Sequence, residues 1–311
     1  MPQADQSIQT SSPTVSPPTA TSRARANRLG ILWMVAAMTA FIGNDALVKS
    51  IIARVPIAQM IVVRGIMAIT LITLVAYRMG ALKRIRDTLR GWVVLRAACE
   101  GAGTFMYLAA LFVLPLANAT AINLSSPLFI ALLAIVFLGE RVDRLRWLAI
   151  GVGFAGVLLV IQPRSDGFNV YAWLCLLATL VYSFRDLMTR RIAPGTPSIL
   201  ITLTTAAVVA LMALVMLLVE GWQPMRWSDV GLLGLASIFL STGYYGVIAA
   251  MRYGEVSVIA PFRYTGLIWA LLIGFLVWGD IPNALGWIGI ALLIGSGVVM
   301  LHQQRQRAQQ D

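Results

Sequence analysis

Residues 101–160 occur twice in this chain. Moved along by 140 positions without a gap, they fall on 241–300, so that Gly103 meets Gly243 and Ala109-Ala110 meets Ala249-Ala250. Gly139-Glu140 meets Gly279-Asp280, and Leu145, Trp147 and Ile150 meet Leu285, Trp287 and Ile290. Trp33 meets Trp173 at the same offset, and Asp45 meets Asp186 at one residue more. Apart from its ends, the chain is two copies of one unit.

Each copy is made of apolar runs. Of 311 residues, 59% are apolar and 12% charged, where soluble domains carry about 25% charge. Roughly 20 apolar residues cross a hydrocarbon core about 30 Å thick. Ten such runs can be marked, at about 29–48, 57–77, 91–113, 118–138, 144–161, 169–189, 197–219, 229–250, 256–278 and 283–301. The expected fold is all-α and integral to the membrane: ten transmembrane helices, five in residues 29–161 and five in 169–301. Five is odd, so the second copy enters from the opposite side and the two repeats are inverted. Connections between runs are short and leave no room for a catalytic domain outside the membrane. Residues 1–28, rich in Ser, Thr, Pro, Gln and Ala, are expected to form a disordered tail. They lack the apolar stretch of a signal peptide. Residues 302–311 form a polar C-terminal tail.

The net charge of +11 suggests nucleic acid until its placement is considered. Basic residues gather on the cytoplasmic side of membrane proteins. With the N-terminus inside, sixteen basic residues, Arg84, Arg86 and Arg191 among them, fall in inner segments. Only Lys49, Arg54, Arg164 and Arg226 fall outside. Both termini are therefore expected in the cytoplasm of an inner-membrane protein, with no nucleic-acid partner. Cys99 and Cys175 lie within apolar runs and imply no disulfide framework. The single histidine, His302, lies in the tail, which removes histidine proton relays and a zinc site.

An ionisable side chain inside a membrane costs about 2.5–3.5 kcal/mol, so each needs a reason. Arg64, Arg96, Arg185 and Arg263 lie within apolar runs, and Asp45, Glu100 and Asp186 within or beside them. Arg96, Glu100, Gly103 and Tyr107 are spaced by four, three and four and share a helix face. Arg96 and Glu100 either neutralise each other or extend that face into a polar groove with Tyr107. Thr179, Tyr182 and Asp186 repeat the pattern, with Arg185 beside them. Asn44, Asp45 and Lys49 end the first run and are expected near the outer surface, solvated. Arg64 either snorkels or pairs with a carboxylate of the first or third run.

Arg263 follows Pro261, and its counterpart Asn123 precedes Pro127. Polar residues beside prolines in corresponding runs are a pointer to a midplane site in inverted-repeat carriers. Arg263 has no acid four residues away, so its counter-charge comes from another helix or from a substrate. Tyr244, Tyr245 and Trp269 can stack on a flat ligand or serve as packing and interfacial anchors. The candidate substrate contacts are thus Arg263, Arg96, Asn123, Tyr107, Tyr245, Trp269 and Arg64. Glu100, Asp186, Arg185 and Asp45 are candidates for ion pairing or proton coupling. Gly151-Val-Gly153-Phe-Ala-Gly156 matches a dinucleotide fingerprint, but that motif has meaning only between a strand and a helix. Here small residues let helices approach closely, with Gly289, Gly295 and Gly297 in the sister run.

The chain resembles the drug/metabolite transporter superfamily, in particular its bacterial EamA branch of ten-span carriers. The resemblance covers about residues 30–301. It is carried by the two five-helix halves, by Arg64-Gly65 after the Pro56 loop, and by Pro115-Leu-Ala-Asn-Ala-Thr leading to Pro127. Gly139-Glu140 before a short basic loop and Trp147 completes it. The second-half proline is displaced to Pro261. The resemblance implies secondary transport of a small polar metabolite, most like the uptake carriers for riboflavin or S-adenosylmethionine. Export of amino acids or drugs stays open, as do a lipid-linked-substrate flippase and a membrane enzyme. No cofactor, metal or catalytic set is expected; the partners are a small-molecule substrate, the bilayer, and a proton or an exchange substrate.

Overall fold

The computed structural model describes residues 20–89, 91–138, 144–162, 170–189, 191–192, 195–253 and 256–307. Gly139-Glu140 lies outside the described residues, as do Arg90, Arg141, Arg164 and Arg190. The helices of the first half are α1 (Ala20–Ile51), α2 (Ile57–Arg78), α3 (Gly91–Val113), α4 (Leu116–Asn123), α5 (Ser126–Leu138) and α6 (Arg144–Ile161). Those of the second are α7 (Val170–Thr189), α8 (Ser198–Glu220), α9 (Trp227–Tyr253), α10 (Val256–Ile259), α11 (Thr265–Trp278) and α12 (Ala284–Arg307). Two 3-10 segments, Ala81–Thr88 and Ala260–Tyr264, complete the list, and no strand occurs among the described residues.

Helix limits follow local chemistry. Pro56, Pro115 and Pro197 occupy the N-cap positions of α2, α4 and α8, where a fixed φ suits the entry and no helical donor is lost. Gly279 closes α11 with a positive φ of 72°, and its N–H returns to the Phe275 carbonyl. The first helix begins at Ala20, so the last residues of the expected tail are helical.

Among the described residues, eight helical stretches are long and apolar enough to cross a membrane: Arg25–Ile51, Ile57–Arg78, Leu116–Phe137, Arg144–Ile161, Val170–Thr189, Ser198–Glu220, Trp227–Val247 and Ala260–Trp278. Ala284–Met300 is a shorter apolar helix. The third expected span, α3, is 23 residues long but carries Arg96 and Glu100.

Packing runs mainly between the halves. α1 packs on α9, α3 on α7, α2 on α8, and α6 on α12; α3 also meets α8, α2 meets α9, and α4 meets α11. Exchanging the halves maps most of this set onto itself: α1 on α9 becomes α7 on α3, α3 on α8 becomes α9 on α2, and α2–α8 and α6–α12 return to themselves; α4–α11 falls outside the exchange, because α4 corresponds to α10 and the 3-10 segment and α5 to α11. The duplicated glycines show the reason at atomic level. A Cβ on Gly103 would meet the Tyr182 ring at 2.7 Å, and one on Gly243 would meet the Phe41 ring at 2.8 Å. Each glycine lets an aromatic residue from the partner half lie against its helix. The expected close approach of α6 and α12 is also present. A Cβ on Gly156 would fall 2.7 Å from the Gly289 carbonyl oxygen, and one on Gly289 would fall 2.5 Å from that of Gly156. Gly151 and Gly295 instead face open space.

The main apolar core sits at one end. It joins Val48 and Ile51 of α1, Met60 of α2, Leu111 of α3, Leu116 of α4, Val160 of α6, Cys175 of α7, Leu217 of α8, Leu233 of α9 and Ile290 of α12. These lie toward the end bearing the α1–α2, α3–α4, α8–α9 and α11–α12 connections. The same end is tied by Arg54 to Asp229 at 2.9 Å and by reciprocal bonds between Gln59 and Gln223. At the end carrying the chain termini the apolar contacts of the described residues divide into two small groups. One joins Met34 and Ala37 to Ala250 and Ile259; the other joins Leu128 and Ala131 to Ile150 and Met300.

Candidate functional site

Two helices break at corresponding places. The α4–α5 pair is interrupted at Leu124-Ser125, and α11 starts at Thr265 after a 3-10 segment containing Pro261. At the repeat offset Ser125 falls on Thr265, so the two breaks coincide. Each holds one proline, Pro127 just after the first and Pro261 just before the second. A break at membrane depth is tolerated where the freed backbone is buried in protein or lines a cavity.

Between these breaks lies a band of polar side chains from α1, α2, α3, α7 and α9. Its strongest element is Arg185. Its Nη1 donates to Glu100 Oε2, and it holds Asp186 Oδ1 through Nε at 2.9 Å and Nη2 at 2.7 Å. The guanidinium also lies 4.9 Å from the Tyr182 ring centroid, and Tyr244 donates to Glu100 Oε1 at 3.4 Å. The side chains of Arg185 and Glu100 are only 16% and 10% exposed. A charge-assisted pair at such depth is held by attraction that water does little to screen.

A second cluster adjoins it. Tyr107 donates to Asp45 Oδ2 at 2.8 Å, Asn44 Nδ2 donates to Asp45 Oδ1 at 2.9 Å, and Arg64 Nη1 donates to Asn44 Oδ1 at 3.2 Å. The Tyr107 and Tyr182 rings, 6.5 Å apart, connect the two clusters across Gly103.

Several expectations change. Arg96 does not neutralise Glu100: its Nε donates to Thr189 Oγ1 at 3.0 Å and its Nη1 to Thr205 Oγ1 at 2.9 Å, while Glu100 is taken by Arg185. A shared helix face does not dictate pairing when a neighbouring helix offers a closer partner. Asp45 and Lys49 are not solvated loop-edge charges. Asp45 is bonded as described; Lys49 Nζ donates to the carbonyls of Leu111 and Leu114 at the end of α3 and lies 5.6 Å from the Trp278 ring centroid. Arg64 neither snorkels nor bonds a carboxylate, but reaches Asn44 beside one.

Arg263 is exposed and has no hydrogen bond or ion pair among the described residues. Asp186, Arg185 and Tyr264 lie within its electrostatic reach. Asn123 ends α4, half-buried, at the first break. Tyr245 lies away from the polar band, 62% exposed and edge-on to Trp33, as an anchor on the bundle's outside. Trp269 packs against the main core. Tyr244, its ring edge-on to Phe41, is the one of this aromatic set that reaches the band. Thr104, Thr189 and Thr205 were missed, since a threonine in an apolar run ordinarily bonds back to its own helix; Thr205 does so as well as receiving Arg96.

Two cavities lie elsewhere. One, about 420 Å³, is an apolar groove between α11 and α12 lined by Pro261, Ile268, Trp287 and Ile294. The other, about 300 Å³, sits at the sealed end among Asn118, Gln162, Asp280 and Asn283.

A many-helix bundle with a paired polar centre inside apolar, membrane-length helices defines a membrane transport protein. The EamA-like transporter family matches residues 28–162 and again 169–302, and the chain belongs to that family. Similar proteins of known role include a riboflavin transporter of Vibrio cholerae, 26% identical over 91% of this chain and 96% of its own length. A pseudopaline exporter of Pseudomonas aeruginosa is 27% identical over 85% and 93%. An S-adenosylmethionine uptake transporter of Rickettsia bellii is 21% identical over 89% and 95%. A solved crystal structure superposes with a TM-score of 0.61 at 18% identity, covering 91% of this chain and 99% of that one, and shares the fold.

Proposed function

We propose that this chain is a secondary carrier that moves a small anionic or zwitterionic metabolite across the inner membrane by alternating access. In this reading ten segments cross the membrane as two inverted five-helix repeats, with both termini cytoplasmic. The coincident breaks and the exchange symmetry of the packing support that arrangement. The uneven core supports the mechanism: among the described residues the main apolar cluster lies at one end and two smaller ones lie at the end of the termini. In this reading the carrier is closed outward and opens toward the side of its termini.

The observation that carries the substrate reading is Arg263. It is a cation on a broken helix, open to solvent, with no hydrogen bond or ion pair among the described residues, in a band where Arg185 and Arg64 already have partners. Such a guanidinium is free to make charge-assisted hydrogen bonds to an anionic group of a substrate. Asn123, at the corresponding break in the first half, offers an amide where Arg263 offers charge. Of the cargoes named for similar proteins, S-adenosylmethionine has a carboxylate for Arg263 and is the first substrate to try, while riboflavin, uncharged at neutral pH, offers only carbonyl and hydroxyl acceptors and is the second.

Removing a charged hydrogen-bond partner costs about 1.5–3 kcal/mol, so Arg263→Ala is expected to lower uptake of labelled S-adenosylmethionine into proteoliposomes on the order of tenfold or more. Unchanged uptake in a correctly folded Arg263→Ala protein would remove Arg263 from the site. Export is the second reading, favoured by the similar pseudopaline exporter. Comparing uptake with efflux in vesicles of both orientations separates the two.

A further inference from the structure

Three carboxylates stand in the polar band, and two of them share one guanidinium. Glu100 and Asp186 both bind Arg185. Protonating either would leave a mostly buried arginine short of counter-charge. Asp45 differs: it has no ion pair among the described residues and is held only by the neutral donors Tyr107 and Asn44.

The charge that faces it is that of Arg64, which attracts it without bonding it. From α2, Arg64 faces it but bonds Asn44. From α3 comes Tyr107, and from α7 come Cys175 and, beyond Tyr107, Tyr182. α9 brings Phe239 against Gly43 and places Tyr244 near Arg64 and Glu100. α11 contains no ionisable residue, and Asp280 just past it faces Lys49. The 3-10 segment carries Arg263 and Tyr264, whose charged neighbours are Asp186 and Arg185. On α1 itself, Lys49 is turned toward the carbonyls ending α3.

We propose that Asp45 is the proton-binding carboxylate of the carrier, taking a proton from water on one side and releasing it to water on the other in each cycle. This deepens the carrier reading above and rests on it for its role in transport; among the candidates Glu100, Asp186, Arg185 and Asp45 it settles on the one on α1. The partners suit both states. A phenol hydroxyl can turn, so Tyr107 donates to the carboxylate and accepts from the acid. When Asp45 is ionised, Arg64 has an acid one residue from the amide it now binds; when Asp45 is neutral, Arg64 stays on Asn44. Protonation thereby shifts a contact between α1 and α2. Through the Tyr107–Tyr182 ring contact it also reaches Arg185 on the other half.

The test needs no substrate. Infrared spectra of the full chain reconstituted in lipid are recorded across a pH titration, following the carbonyl stretch of carboxyl groups in apolar surroundings, apart from solvated surface ones. One such band is expected to titrate in the parent protein, to vanish in Asp45→Asn, and to persist in Glu100→Gln and Asp186→Asn. Isotope-labelled aspartate in the parent protein is expected to shift it and labelled glutamate to leave it; together with its persistence in Asp186→Asn and Asp229→Asn, this assigns the band even if Asp45→Asn fails to fold. A band that survives Asp45→Asn, that follows glutamate labelling, or that never titrates overturns the proposal. Uptake of riboflavin or S-adenosylmethionine under an imposed pH gradient then tests the carrier reading separately. A titrating Asp45 band with no transport of any solute would sink that reading and leave the proton site standing.

Discussion

Arg185 holds Glu100 and Asp186 at once, and this single side chain shows how much and how little a membrane sequence reveals about its pairs. Every intramembrane charge could be picked out by its cost in hydrocarbon: Arg64, Arg96, Arg185, Arg263, Asp45, Glu100 and Asp186 all had to be accounted for. Helical spacing then put Arg96 and Glu100 on one face of α3. It could not say that α7 would bring Arg185 to Glu100 while α8 brought Thr205 to Arg96. Partner choice depends on which helices meet, at which height, and no local rule contains that. Breaking a buried pair by removing one member costs about 3–5 kcal/mol, whereas replacing both with apolar residues can be nearly neutral. Glu100→Leu and Arg185→Met are each expected to lower the thermal midpoint in detergent, and Glu100→Leu/Arg185→Met to lower it by less than the sum of the single changes. Strict additivity would mean that the pair contributes no coupling.

At the scale of elements, the sequence was legible wherever a helix is defined by its own residues. The apolar runs, the prolines before α2, α4 and α8, and the glycine after α11 all lie where local chemistry puts them. The G-x-G-x-x-G stretch is a helix contact surface, but its three glycines are not equivalent. Gly156 meets the backbone of Gly289, whereas Gly151 meets nothing within 4 Å. A methyl group on Gly156 cannot be accommodated by turning a side chain, because the obstacle is a carbonyl oxygen. Gly156→Ala is therefore expected to destabilise by about 1–3 kcal/mol through overpacking. Gly151→Ala, at an open helical position, is expected to be neutral or to stabilise by roughly 0.5–1 kcal/mol. Thermal unfolding of the two variants side by side checks this, and equal midpoints would mean that α6 and α12 do not meet through Gly156. The helix breaks were half visible. Pro127 and Pro261 marked the two runs, yet the prolines do not align, and only the structure puts both interruptions at one repeat position.

For the molecule as a whole, the two native cysteines lie on opposite sides of the question of which end is open. Cys175 is fully buried in the sealed core, its thiol 3.7 Å from the Ala119 carbonyl oxygen. Cys99, half-buried beside Glu100, lies toward the end that bears the termini. A membrane-impermeant maleimide is expected to label Cys99 in inverted vesicles and to leave Cys175 unlabelled until the outer end opens. Rapid labelling of Cys175 from the outer face, with Cys99 protected, would mean that the resting carrier is open the other way. By itself the sequence determined that the chain is built twice, that both copies are apolar helices, and which polar residues lie inside them at a cost. Those properties follow from repetition, composition and the cost of charge in hydrocarbon, which are local or additive. Only the tertiary structure decided that the copies pack into each other, that Arg185 rather than Arg96 answers Glu100, that among the described residues Asp45 bonds neutral partners, and that the main core of the described residues lies at one end. Each of these depends on which residues distant in the chain come into contact, and that is fixed by helix packing rather than by any stretch of residues.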